Sequence, residues 1–329
     1  SATGFDKAVW QEMVELGWLG LAIAEEYGGS GLGFGATVPL AESMGRSLLS
    51  TPFFSSSLAA QALMRAGTAT QKENYLPRIA NGSIAWLAML DGEDWGATKF
   101  SASGTVSGDT LSMQGEKWYV QDASVAEIFI VGLNIDGESV LVVVDREQLG
   151  TDALQEHTLI DQTKRASRLN LDGIQVSADN ILDRDNTGAA LRDVALLGAL
   201  LVAAESTGAA AACLDTIVEY LKTRKQFGKL IGSYQALKHP TVDVLCAMDD
   251  ARTFIYHAAS LVGDEALDAD AEIACRMAKA QATHAIEFAG DRAVQFHGGM
   301  GFTYECDAQL YIRRAQWARQ QFGDAYHHR

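Results

Sequence analysis

Positive charge is scarce in this sequence: 26 lysines and arginines stand against 42 aspartates and glutamates, a formal net charge of −16. That balance excludes general nucleic-acid binding, which needs cations spread over a surface. An anion can be held only where cations are gathered locally. Cysteine is equally sparse. Cys213, Cys246, Cys275 and Cys306 lie about thirty residues apart with no C-x-x-C pair, which excludes the usual zinc and dithiol motifs and predicts small core residues in a reducing compartment. The seven histidines offer no ligand spacing: His327 and His328 fall at the terminus and His239 precedes Pro240, so no metal site is expected. A G-x-S-x-G elbow is missing, which removes support for nucleophilic hydrolysis. With four prolines there is little linker. The longest apolar run, Val194 to Ala204, is interrupted by Glu205 and falls short of the roughly 20 residues of a membrane span. No signal peptide is visible at Ser1. A cytoplasmic protein without membrane insertion is the expectation.

What is present changes texture twice. In "FDKAVWQEMVELGWLGLA", Phe5, Val9, Met13 and Leu16 follow helical spacing and Gly17 can end the helix. "SSLAAQALMRAG" and "ENYLPRIANG" predict further short helices closed by Gly67 and Gly82. From about residue 85 the period changes. "TVSGDTLSMQGEKWYV", "AEIFIVGL" and "SVLVVVD" are short and β-branched, with Gly, Asp and Asn turns between them, and predict an antiparallel sheet or barrel. From about Thr187 a four-residue rhythm returns through Leu196, Leu200, Ala204, Thr207, Ala211, Leu214, Val218 and Leu221. Helices, then strands, then a long bundle imply an α+β protein with segregated regions: helical 1–84, β 85–186 and a C-terminal helical bundle 187–329. Alanine-rich stretches such as "RMAKAQATHAIEFAGDRAV" predict tight helix packing and an oligomer face.

Three glycine-containing stretches could meet a ligand. "YGGSGLGFG" (27–35) follows "AIAEEY" rather than a buried strand, and Glu25 and Glu26 would repel phosphate, so it reads as a turn and not a dinucleotide loop. "TRKQFGKLIGSYQ" gathers cations around an aromatic residue. Arg224 offers a planar fork that matches pyrophosphate oxygens, Phe227 an aromatic face, and Gln235 can donate to the same ligand if the chain folds back at Gly228 and Gly232. A solvated helix end answering the helix dipole would carry the same cations. "AVQFHGGMGFTYE" (293–305) places Gln295, Gly298 and Gly299 after an apolar helix, either as a C-cap or as backbone that lets a ligand come close.

Together with "LGWLGLAIAEEYGGSGLGF" and "MGRSLLSTPF", these two stretches resemble the acyl-CoA dehydrogenase family, in order and over nearly the whole chain. The resemblance implies that family's fold: an N-terminal helical domain, a middle antiparallel β-domain and a C-terminal four-helix bundle. It implies FAD, acyl-CoA substrates and α,β-desaturation, in which a carboxylate removes the α-proton while the flavin takes the β-hydride. It also implies a flavin shared between subunits, its adenosine-diphosphate end gripped by Arg224, Phe227, Gln235, Gln295, Gly298 and Gly299 of the neighbouring chain. An acceptor of the electron-transfer-flavoprotein type follows.

The sequence departs from the family where the chemistry occurs. The usual base, counted on from Arg313, falls at Phe322, and the alternative base near the start of the long helix falls at Gly198. "LDGEDWGATKF" (90–100) replaces the segment where flavin ring and substrate meet, and "WYVQDAS" puts Tyr119 and Gln121 at flavin-contacting positions. The pattern resembles the non-basic subunit of heteromeric α2β2 dehydrogenases of bacterial steroid side-chain catabolism, with a homologous partner subunit carrying the base. Two alternatives stay open: a self-sufficient homotetramer with a relocated base at Asp324 or Glu205, and a scaffold or acyl-CoA-binding module that no longer uses flavin.

Overall fold

The computed structural model describes residues 4–95 and 99–329. Helix α1 (Lys7–Glu15) starts where the Asp6 side chain accepts the Ala8 N–H at 2.8 Å, and it stops where Gly17 turns left-handed at φ 75°. Its buried face differs from the expected one. Trp10 and Met13 are buried while Leu16 is 67% exposed, because Leu16 already lies past the last helical residue. Helices α2 (Val38–Arg46), α3 (Phe53–Ala66) and α4 (Ala69–Ala80) follow. A reciprocal capping box opens α4: Thr68 accepts from Gln71 N–H while the Gln71 side chain accepts from Thr68 N–H.

The chain divides into two compact units. The first takes residues up to Thr37, Ser50–Gly198 and Val262–Leu267. Its strands are β1 (Ala85–Ala88), β2 (Ser103–Ser107), β3 (Thr110–Gln114), β4 (Glu116–Gln121), β5 (Ile128–Ile135), β6 (Glu138–Asp145), β7 (Leu154–His157), β8 (Ala166–Asn170) and β9 (Gln175–Ser177). One sheet runs β1-β5-β2-β3-β9 with β6 also on β5; a second runs β4-β8-β7. Most pairings are antiparallel as expected, but β5 pairs in parallel with β1, from Ala85↔Ile128 to Ala88↔Val131, and with β2 at Ser103↔Asn134. Buried on nearly every residue, β5 is the centre of this core. A bulge between Lys117 and Val120 breaks the register of β4, and Tyr119 there has φ 50°.

The second unit takes Val38–Leu49, Ala199–Leu261 and residues from Asp268 onward. Its helices are α2, the greater part of α5 (Arg184–Thr223), α6 (Gln235–Leu261), α7 (Ala269–His297) and α8 (Ala308–Gln320). A short hairpin of β10 (Lys225–Gln226) and β11 (Lys229–Leu230) joins α5 to α6. Glu205 does not interrupt α5, which runs 40 residues. By length and composition α5 could cross a membrane, yet 94% of its most apolar stretch is buried, as in a core helix. Glu205 is tolerated there because its carboxylate meets Arg314 Nη1 of α8 at 2.5 Å, both side chains being buried.

Helices α2 and α5 cross through two glycines. A Cβ on Gly208 would overlap the backbone oxygen of Glu42, and one on Gly45 that of Glu205. Gly208→Ala is therefore expected to destabilise the fold by about 1–3 kcal/mol, the usual range for overpacking, read as a lower urea midpoint. An unchanged midpoint would contradict this crossing. The cysteines only partly follow expectation: Cys213 and Cys275 are buried, but Cys246 is exposed on an outward-facing position of α6 and Cys306 is half-buried. Burial pushes the Cys213 thiol well above its usual range.

Candidate functional site

Helix α5 ends by delivering its last turn into the hairpin. The Arg224 N–H donates to Tyr220 O at 2.9 Å and its carbonyl accepts from Ile231 N–H at 2.9 Å, so the backbone around the arginine is fixed on both sides. The two-residue turn is Phe227–Gly228, with φ 52° and 76°. Both residues are left-handed, as in the tight hairpin turns that favour Asn-Gly. A phenylalanine in that conformation costs of order 1–3 kcal/mol, and its ring gains little burial in return, being 90% exposed. The local sequence thus tolerates strain to hold an aromatic face outward. Residues 222–230 are all exposed. Among the described residues Arg224, Lys225 and Lys229 form no ion pair, while Lys222 reaches Glu219 at 2.9 Å. In a chain of net charge −16 these are the unneutralised cations an anion would find.

The second glycine cluster meets the first segment at a cavity of about 630 Å3, lined among others by Tyr220, Arg224, Phe227, Tyr234, Gly298 and Gly299. Gly298 caps α7 at φ 61°, ψ −139°, a region essentially confined to glycine. Gly301 is needed for a different reason, because a Cβ there would overlap the Val294 backbone oxygen. At Gly299 a Cβ would meet only open space, so its missing side chain leaves room at the cavity wall. Of the expected ligand-binding residues, Arg224, Phe227, Gly298 and Gly299 converge. Gln235 and Gln295 do not line the cavity; each is exposed and immediately precedes a lining residue, Ala236 and Phe296 respectively. Sequence reasoning missed the aromatic part. The His297 ring stacks on Tyr220 with centroids 4.0 Å apart, a pairing between α7 and α5 that no local signal could disclose.

The carboxylates named as fallback bases are engaged. Asp324 Oδ1 accepts the backbone N–H groups of His327 and Tyr326 at 2.9 and 3.0 Å, and these bonds, His327 first, hold its carboxyl below the usual range. Glu205 is tied to Arg314. Phe322 is buried at φ 56°, and Gly198 is buried within α5. In the first unit the Tyr119 hydroxyl donates to Glu93 at 3.3 Å, and its ring lies 5.4 Å from His157, which in turn stacks on Trp118. Burial, then the Glu93 charge, raises the Tyr119 hydroxyl. Lys117, buried beneath Asp91, is pushed by that burial down to about 8 despite its partner. Of the "LDGEDWGATKF" stretch, residues 96–98 lie outside the described residues.

Two family models match: the acyl-CoA dehydrogenase N-terminal domain over residues 1–83 and the C-terminal domain over 191–325. The acyl-CoA dehydrogenase IpdE2 of Mycolicibacterium smegmatis is 30% identical over 98% of this chain and 86% of its own length. Among solved structures, the Tcur3481-Tcur3483 steroid ACAD superposes with a TM-score of 0.85 at 25% identity, covering 100% of this chain and 88% of its own. The ChsE4-ChsE5 complex from Mycobacterium tuberculosis, at 23% identity, a TM-score of 0.85 and coverage of 98% and 86%, shares the fold. The chain belongs to the acyl-CoA dehydrogenase family, FAD-dependent oxidoreductases acting on CH–CH bonds.

Proposed function

We propose that this chain is the flavin-completing, non-basic subunit of a heteromeric acyl-CoA dehydrogenase. One observation carries the reading. Two segments about seventy residues apart converge on a cavity with an unpaired arginine and an outward aromatic ring, while both candidate carboxylates are engaged elsewhere. Arg224 would bind the pyrophosphate of a flavin, Phe227 would cover its adenosine end, and Gly298 and Gly299 would let backbone approach it; Gln235 and Gln295, which lie outside the cavity lining, would add hydrogen bonds only to a part of the ligand that extends beyond it. When bound, FAD supplies hydride acceptance. Nothing at Phe322 or Gly198 can accept the α-proton, so the base is assigned to a homologous partner subunit. The exposed Phe227 ring and the unpaired cations are then covered only in the assembly. Two of the similar structures are two-component by name, and one is described as a steroid ACAD; a steroid side-chain CoA thioester is accordingly the substrate we assign. A cytoplasmic location, an electron-transfer-flavoprotein-type acceptor and a three-domain division at 84/85 and 186/187 complete the reading.

Co-expression with a base-bearing homologue is expected to yield a complex with about one FAD for each pair of chains, the count when two chains complete one site. The isolated chain should retain almost none. Within that complex Arg224→Ala should lower flavin affinity about tenfold or more, the scale of a lost charge-assisted hydrogen bond. Full flavin loading and turnover by the isolated chain would overturn the assignment.

A further inference from the structure

We draw no further inference here: the strongest candidate, the cavity of about 340 Å3 between the β7–β8 loop and the residues that follow β4, carries none because Lys164 lays its ammonium over the Phe54 ring and Arg165 packs its side chain on Gly4, so nothing in the structure shows what ligand would fill it.

Discussion

Arg314→Ala is expected to lower the stability of the fold by about 3–5 kcal/mol, the cost of stranding one partner of a buried ion pair. Arg314 and Glu205 are 1% and 2% exposed at their side chains, and the guanidinium also sits 5.8 Å from the Trp317 ring. Alanine would leave the Glu205 carboxylate in the apolar middle of α5 without its guanidinium partner and open a cavity the size of the lost side chain. The paired replacement Arg314→Met with Glu205→Leu should recover most of the loss, since well-packed apolar residues often match a buried pair. Urea unfolding of Arg314→Met, Glu205→Leu and the double variant checks this, with the double variant nearer wild type than either single one. Equal additive losses would mean that the two side chains do not interact. The same pair bears on catalysis. A relocated base at Glu205 would have to work from a carboxylate already bonded to Arg314 in the helix core.

That ion pair also explains how the helical rhythm read through to Leu221 carries an acidic residue in its middle. Glu205 looks like an interruption of the apolar run because its partner lies more than a hundred residues away in α8; once paired, the helix continues to Thr223. The order of helices, strands and helices was legible because hydrophobic period is a local property. The parallel pairing of β1 with β5 was not, since register between strands forty residues apart is decided by the sheet and not by either strand. Leu16 failed as a core residue for a local reason, a helix ending one residue earlier at Glu15. At the candidate site the cations of 222–229 and the glycines at 298 and 299 were visible as composition. The stack of His297 on Tyr220 was hidden, and so was the role of the terminal His328, whose bond to Phe322 O is a matter of tertiary packing and not of ligand spacing.

The last turn should loosen in acid. Past α8 the chain is fastened by two buried bases. Lys279 Nζ donates to Ala318 O at 3.1 Å, Arg319 O at 3.3 Å and Gly323 O at 3.0 Å, and His328 Nε2 lies 2.8 Å from Phe322 O. Burial, with the charges of Lys279, His327 and Arg276 adding to it, holds the His328 imidazole down to about 4. A base whose folded pKa is depressed binds a proton more readily once released. The stability it contributes is therefore complete above its ordinary value near 6.5 and is lost as pH falls from there toward 4. Lys279, pushed by burial down to about 7 in spite of Asp324 and Glu287, has its own window between pH 7 and about 10.5 and adds no further change below 7. At pH 4.5 the two His328 values imply that opening is favoured by on the order of fifty- to a hundredfold relative to pH 8 through this residue alone. Amide hydrogen exchange, corrected for intrinsic rates, should show that loss of protection across residues 318–329 while the middle of α7 stays protected. His328→Phe removes the titrating group, and its last turn should respond far less to pH between 7 and 4.5. Because His328 Nδ1 is buried with no hydrogen-bond partner among the described residues, acid has an unsatisfied nitrogen to protonate. If the wild-type turn keeps its protection at pH 4.5, or the Phe variant loses protection equally, the fastening does not depend on a neutral His328.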